Sequence, residues 1–215
     1  MALFDFLSPR RVFEIEAPEP NTPIEEVEFL AVDMETTGLK PKQHEIVSIG
    51  WVPVINNRVQ LKDAHYVLIK GVDVGDSAII HHLRDSDLEQ GCELEEAIEM
   101  LTAALHGKAL LAHFAPIETA FYSHACKKLW GKEPQLQVVD TFALERRHME
   151  RMSTFPRGED LRLSRVRARY GLPNYRNHNA LTDAIACAEL YLAMAAHRPP
   201  QKLKDMQKNL QIQRC

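Results

Sequence analysis

Hydrophobic and polar positions divide the chain into short apolar runs and longer segments with helical spacing. Apolar runs of strand length lie at 28–32, 45–52, 59–69, 109–112 and 136–139. Apolar positions three and four residues apart predict helices at 93–105, 116–130, 141–151, 161–170 and 180–195. Three consecutive strands followed by alternating helices and strands indicate an α/β fold, a mixed five-stranded sheet flanked by helices.

Turn and cap residues support these boundaries. The polar pair Asn56-Asn57 between the second and third apolar runs predicts a hairpin. Gly107 is a C-terminal stop for the first helix, and Pro116 suits the first turn of the next one.

The two ends of the chain lack the pattern of the middle. Residues 1–26 are rich in proline and glutamate with little periodicity, and we expect an N-terminal arm there. The globular pattern covers residues 27–197. Residues 198–215 carry five lysines or arginines against one aspartate and predict a basic C-terminal tail.

Composition narrows the class of protein. Hydrophobic residues make up 45% and charged residues 26% of the 215 positions, which is typical of a globular protein. No apolar run approaches the roughly 20 residues needed to span a bilayer, so we expect no membrane association. The four cysteines are scattered without a C-x-x-C pair, which favours reduced thiols and a cytoplasmic location.

Two carboxylates at the end of the first strand are the first candidate for chemistry. Residues i and i+2 of a strand face the same way, so Asp33 and Glu35 share one face. Two close carboxylates repel each other unless they are protonated or bind cations. Oxygen ligands of this kind suit Mg²⁺ or Mn²⁺.

Two segments carry a resemblance to a known family. Asp33-Met34-Glu35-Thr36-Thr37-Gly38 resembles the first motif of the DEDDh exonucleases, which include the proofreading subunit of the bacterial replicative polymerase. His178-Asn179-Ala180-Leu181-Thr182-Asp183-Ala184 resembles their third motif, H-x-A-x-x-D-A. The resemblance implies a ribonuclease H-like fold and 3′→5′ exonuclease activity.

The middle motif of this family departs from its usual form. Where the family reads H-N-A-x-F-D, the chain has His113-Phe114-Ala115-Pro116-Ile117-Glu118, so Glu118 stands in place of the metal-associated aspartate. One interpretation is that Glu118 still supports a metal ion with looser placement. The other is that it is an ordinary acid in the first turn of a helix. Asp140 is a substitute acid, although capping the next helix is the more ordinary role for it.

The resemblance implies a two-metal hydrolysis of phosphodiester bonds at the 3′ ends of single-stranded or frayed nucleic acid. Two Mg²⁺ or Mn²⁺ ions would be held by Asp33, Glu35, Glu118 and Asp183. His178 would take the proton from the attacking water. The terminal nucleotide would be bound by Thr36, Thr37, Gly38, Leu39 and His113.

Other signals leave alternatives open. The net charge of −4 argues against a uniformly basic nucleic-acid-binding surface, yet two divalent ions would offset it. An Arg-rich stretch is either a solvated helix surface or a strip for substrate phosphates, and it comprises Arg146, Arg147, Arg151, Arg157, Arg162, Arg165, Arg167 and Arg169. The adjacent pair His81-His82 has no partner at a spacing typical of a metal site.

Two further functions compete with the exonuclease hypothesis. One is a catalytically weak nucleic-acid-binding or scaffolding protein that retains the fold, which the departures at Phe114 and Glu118 keep open. The other is an exonuclease directed at RNA or short oligonucleotides, since discrimination depends on contacts to the 2′-hydroxyl. A protein partner is compatible with each of them.

Overall fold

Strands and helices follow the hydrophobic pattern in a computed structural model that describes residues 15–73, 89–175 and 179–207. The strands are β1 (Phe29–Thr36), β2 (Ile46–Ile55), β3 (Arg58–Val59), β4 (His65–Leu68), β5 (Ala109–Ala112) and β6 (Val138–Asp140). The helices are α1 (Leu94–Leu105), α2 (Pro116–Trp130), α3 (Thr141–Arg151), α4 (Leu163–Arg169), α5 (Ala180–His197) and α6 (Leu203–Gln207). Short 3-10 turns cover Ile24–Glu26, Leu61–Asp63 and Gly158–Leu161.

The strands form one mixed sheet in the order β3-β2-β1-β5-β6, with β4 paired to β2 on the same side as β3. β1 is antiparallel to β2 and parallel to β5, and β5 is parallel to β6. The mixed sheet and its flanking helices confirm the predicted fold class. The sheet has six strands rather than the predicted five, because a 3-10 turn at Leu61–Asp63 divides the apolar run 59–69 into β3 and β4.

Two hydrophobic clusters cover the two faces of the sheet. On one face, Leu30 and Val32 of β1 pack in a cluster with Leu101 of α1 and Phe121 of α2. On the other face, Phe29 and Ala31 of β1 join residues of α5 and α6, namely Cys187, Ala188, Tyr191, Leu203 and Met206. Successive residues of β1 therefore alternate between the α1–α2 side and the α5–α6 side.

The ends of the described chain lie against each other. Ile24 donates its backbone N–H to Gln201 at 3.0 Å, and Leu203 donates to Thr22 at 3.1 Å. Leu203 and Met206 are buried in the cluster that covers the α5–α6 face. Residues on both sides of the predicted core thus contribute to packing. The predicted division at 1–26, 27–197 and 198–215 stays a prediction.

Some predictions concern residues outside the described ranges. The pair His81-His82 lies there, as do residues 1–14 of the predicted arm and 208–215 of the predicted tail. Within the described ranges, no helix combines the length and the apolar character needed to cross a bilayer.

Candidate active site

The alternation of β1 directs two acids toward α5. Because Phe29 and Ala31 face α5, Asp33 and Glu35 continue the same face to the end of the strand. β1 extends through Thr36, and its pairing with β2 stays in register through Glu35 and shifts at Thr36. The shared orientation predicted for the two carboxylates follows from that geometry.

The N-terminus of α5 brings a third acid to this face. The side chain of Asn179 caps the helix by accepting from the backbone N–H of Thr182 at 3.0 Å, and Asp183 lies in the first turn. The helix packs against β2 at Gly50, the residue paired with Asp33 on β1. A Cβ at Gly50 would lie 2.2 Å from the backbone nitrogen of Leu181, so a glycine is required for this close approach.

Asp33, Glu35 and Asp183 form a compact acidic cluster. One carboxylate oxygen from each lies within 4.8 Å of the others, a spacing that could hold a metal ion. Burial raises the pKa of Asp33 well above its ordinary value, and the charges of Glu118, Asp183 and Glu35 raise it further. A divalent cation would reverse this repulsion, because it stabilises the ionised form of every carboxylate around it.

Glu118 lies beside this cluster, in the first turn of α2. Its side chain is buried, and its Oε2 atom has no hydrogen-bond partner within the described part of the chain. Burial raises the pKa of Glu118 to about 8, with further contributions from Asp140 and Glu35. A buried carboxylate oxygen without a donor suits a cation or its bound water better than an ordinary helix-start position. The oxygen-only donor set therefore fits a hard divalent metal ion.

Asp140 has the capping role that the sequence predicts as the more ordinary one. Its Oδ1 accepts from the backbone N–H groups of Phe142 and Phe114, both at 2.9 Å, and from Ala143 at 3.4 Å. These bonds join the start of α3 to the loop that follows β5. The carboxylate is thus a structural link between two elements of the site.

His113 is engaged inside the protein. Its Nδ1 lies 2.8 Å from Oγ1 of Thr141, and its Nε2 lies 2.7 Å from the carbonyl oxygen of Leu161. Burial lowers its pKa to about 4. Because both ring nitrogens have internal partners, the geometry favours a positioning role over the predicted contact with the terminal nucleotide.

The loop after β1 is braced by its own hydrogen bonds. Thr36 donates its hydroxyl to the carbonyl oxygen of Gly38 at 2.8 Å, and the hydroxyl of Thr37 accepts from the backbone N–H of Glu45 at 3.0 Å. An added Cβ at Gly38 would lie 2.4 Å from the ring of His44. The glycine thus makes room for His44, a residue that no motif indicated. Leu39 is 76% exposed at the tip of the loop.

Much of the Arg-rich stretch is paired within the protein. Arg167 is buried, and its guanidinium donates to Glu189 at 2.8 Å and to the carbonyl oxygen of Ala186 at 2.6 Å. Arg169 pairs with the buried carboxylate of Glu145 at 3.1 Å. For Arg167 both interpretations are wrong, because its buried charge is engaged by helix packing. Arg169 is exposed, in agreement with a solvated helix surface, and its guanidinium is paired with Glu145.

Comparison with known proteins identifies the family. A model of exonuclease domains matches residues 30–191, most of the chain. The chain belongs to this exonuclease family. The DNA polymerase III subunit epsilon of Treponema pallidum is 29% identical over 180 residues, 82% of this chain and 80% of that protein. A PolC-type DNA polymerase III of Thermotoga maritima is 30% identical over 166 residues, and the chain spans only 12% of its length.

Solved exonucleases share the fold. The nuclease domain of 3′hExo, a DEDDh family member bound to rAMP, superimposes with a TM-score of 0.66 at 14% identity, over 84% of this chain and 97% of that one. Exonuclease I of E. coli, in complex with a dT13 oligonucleotide, gives 0.65 at 14% identity, over 80% of this chain and 42% of that one. The predicted ribonuclease H-like fold is confirmed.

Family membership also sets the class of activity. The family comprises exonucleases, hydrolases that need divalent metal ions, and the two-metal mechanism is general for it. The hydrolase class and the DEDDh resemblance predicted from the sequence are confirmed. The general base predicted at His178 lies outside the described residues.

Proposed function

We propose that this chain removes nucleotides from the 3′ ends of single-stranded or frayed nucleic acid, with two Mg²⁺ or Mn²⁺ ions. The observation that carries the proposal is the meeting of Asp33 and Glu35 from β1 with Asp183 from α5. Mutual repulsion of buried carboxylates is unfavourable without cations, and all of the ligand atoms are oxygens that suit these ions.

Each acidic residue would have a distinct role in holding the ions. Asp33 is the acid whose pKa is raised by the charges of Glu118, Asp183 and Glu35, and we assign it to both ions on that ground. Glu35 and Asp183 would hold one ion together with Asp33, and Glu118 would support the second ion through its buried Oε2. When bound, the ions stabilise the attacking and leaving oxygens of an in-line displacement at phosphorus.

The remaining residues act on the water and the substrate. A ring nitrogen of His178 accepts the proton of the attacking water, which suits a group with a pKa near neutrality. The terminal nucleotide is bound by Thr36, Thr37 and Leu39. The conformation of this loop is fixed by the hydrogen bond of Thr36 to Gly38 and by the packing of Gly38 against His44. The free cysteines Cys92, Cys126 and Cys187 support a reducing, cytoplasmic setting.

Digestion of 5′-labelled single-stranded DNA and RNA tests the proposal. With Mg²⁺ or Mn²⁺ we expect a descending ladder of products, abolished by EDTA. Asp183→Asn, which keeps the size of the side chain, should reduce the rate at least about a hundredfold because an anionic ligand is lost. The control Asp63→Asn changes an exposed acid on the turn between β3 and β4 and should leave the rate unchanged.

Two outcomes would contradict the proposal. Products that arise only from internal cuts would exclude an exonuclease. Metal binding with no cleavage of either polymer would favour the catalytically weak scaffolding protein. The ratio of DNA to RNA cleavage, measured in the same experiment, determines the sugar preference. A polymerase or another protein partner is compatible with the likeness to DNA polymerase III subunits.

A further inference from the structure

Phe114 is an exposed aromatic residue in an unfavourable backbone conformation. Its φ is +73°, in the left-handed region that residues with a Cβ rarely adopt. Its side chain is nevertheless 44% exposed, so burial of the ring does not offset the strain. Non-glycine residues held in this region concentrate at functional sites.

The backbone of Phe114 is fixed from both sides. Its N–H donates to Oδ1 of Asp140 at 2.9 Å, and α2 begins two residues later at Pro116. The same Oδ1 atom caps α3, so the position of the ring is tied to two helices. The side chain is therefore presented to solvent by a rigid support.

The sheet places this ring next to the acidic cluster. β5 is parallel to β1, with Leu111 opposite Ala31. β5 ends at Ala112, two residues before Phe114, and Asp33 lies two residues beyond Ala31 on β1. Neighbouring strands are about 4.8 Å apart. Phe114 therefore follows the C-terminal end of β5, at the same edge of the sheet as the C-terminal end of β1, which carries Asp33 and Glu35.

Two side chains of α3 extend this surface. The ring of Phe142 lies 5.0 Å from that of Phe114 at an interplanar angle of 67°, an edge contact that orients the ring without stacking on it. The guanidinium of Arg146 lies 5.1 Å from the centre of the Phe142 ring. Together Phe114, Phe142 and Arg146 form what we call the aromatic platform, with a positive charge beside an exposed ring.

We propose that Phe114 stacks on the base next to the terminal nucleotide and so selects single-stranded 3′ ends. The proposal rests on the proposed function, in which the terminal nucleotide contacts residues 36–39 at the end of the adjacent strand β1. Aromatic rings stack on unpaired bases of any sequence, whereas a base held in a duplex is already stacked and is not available. Arg146 adds attraction for the phosphate of the same nucleotide.

Three substrates separate stacking from chemistry. The first is a 5′-labelled single-stranded oligonucleotide. The second is the same strand with an abasic tetrahydrofuran residue next to its 3′ end. The third is the p-nitrophenyl ester of thymidine 5′-monophosphate, which has one base only and therefore nothing for Phe114 to stack on.

Two variants change the ring while retaining the backbone. Phe114→Asn restores the residue of the family motif, and asparagine tolerates the left-handed conformation. Phe114→Tyr keeps an aromatic face. Phe155→Ala is a matched control, because Phe155 is an exposed phenylalanine beyond the C-terminal end of α3.

Phe114→Asn should raise KM for the intact strand about tenfold with little change in kcat. Phe114→Asn should hydrolyse the nitrophenyl ester at the wild-type rate. For the wild-type protein, KM should rise by the same factor when the intact strand is replaced by the abasic strand. Phe114→Tyr and Phe155→Ala should behave like the wild type.

An equal loss on the ester and on the strand would overturn the proposal, because Phe114 would then only position Asp140 and Glu118. An abasic effect that persists in Phe114→Asn would overturn it as well. If the wild type cleaves none of the three substrates, the proposed function fails instead. Stacking is then tested alone by 2-aminopurine next to the 3′ end, whose fluorescence must be quenched by the wild type more than by Phe114→Asn.

Discussion

At the residue scale, His113 is held in one tautomer by its two partners. The carbonyl oxygen of Leu161 can only accept, so Nε2 carries the proton and donates to it. Nδ1 of the neutral ring is then an acceptor that faces the hydroxyl of Thr141, whose single proton is shared between this nitrogen and the carbonyl oxygen of Ala112. The residue thereby connects the end of β5 to the start of α3 and to the turn before α4.

This arrangement predicts how stability depends on pH. The pKa of His113 is lowered to about 4 by burial, against 6.5 for an unburied imidazole. Between these pH values the unfolded chain binds a proton that the folded chain does not, so unfolding becomes easier as the pH falls from 6.5 to 4. His113→Gln lacks this contribution, and the wild type should lose up to roughly 3 kcal/mol more than the variant across the window.

Urea denaturation at several pH values between 4 and 7 measures both unfolding free energies. Parallel curves for the wild type and His113→Gln would show that the imidazole is not kept neutral by the fold. The variant should be the less stable of the two at pH 7, where its loss of internal hydrogen bonds is fully expressed.

Local sequence predicts some of these residues and not others. Asp33, Glu35 and Asp183 are predictable because each belongs to a short motif whose spacing is fixed by one strand or one helix turn. The internal bonds of His113 and the burial of Arg167 depend on partners such as Leu161 and Glu189 in other elements. Such contacts leave no periodic signal in the chain.

At the element scale, the packing of α5 against the sheet determines whether the carboxylate of Asp183 lies close to those of Asp33 and Glu35. Gly50 of β2 allows the first turn of the helix to approach the sheet beside Asp33. The neighbouring atoms are backbone atoms of Ala180 and Leu181, which cannot rotate away as a flexible side chain could. The position of Asp183 therefore depends on a glycine that belongs to no motif.

Gly50→Ala should move the N-terminus of α5 away from β2. We expect a loss of about 2–3 kcal/mol in the free energy of unfolding, since overpacking forces backbone shifts. Calorimetric titration should show at least about tenfold weaker Mn²⁺ binding, because the acidic ligands separate.

Gly158→Ala is the matched control, because a Cβ there meets no atom within 4 Å. Its effect on stability should stay within about 0.5 kcal/mol, with metal binding unchanged. If Gly50→Ala has the stability and the Mn²⁺ affinity of the wild type, the contact at Gly50 does not determine the position of α5.

Element boundaries were predictable where the chain carries its own stop signals. Asn56 and Asn57 both have positive φ, at +51° and +55°, and form the predicted hairpin between β2 and β3. The predicted helix at 161–170 begins instead at Leu163, after the 3-10 turn Gly158–Leu161. Apolar residues have similar spacing in short 3-10 turns and in helices or strands. The hydrophobic pattern therefore does not indicate that a 3-10 turn precedes α4.

At the scale of the whole molecule, folding brings together acids that the chain keeps far apart. β1, α2 and α5 each contribute to the site, and they belong to the beginning, middle and end of the matched region 30–191. The sheet order places β1 between β2 and β5, so the central strand carries Asp33 and Glu35. The net charge of −4 is consistent with a site that depends on bound cations to attract a polyanion.

Crystals grown with Mn²⁺ test the central claim most directly, because the anomalous signal locates the ions without a model of their ligands. The account predicts two Mn²⁺ ions, one held by Asp33, Glu35 and Asp183 and the other between Asp33 and Glu118. A single ion, ions bound elsewhere, or none at millimolar Mn²⁺ would contradict it.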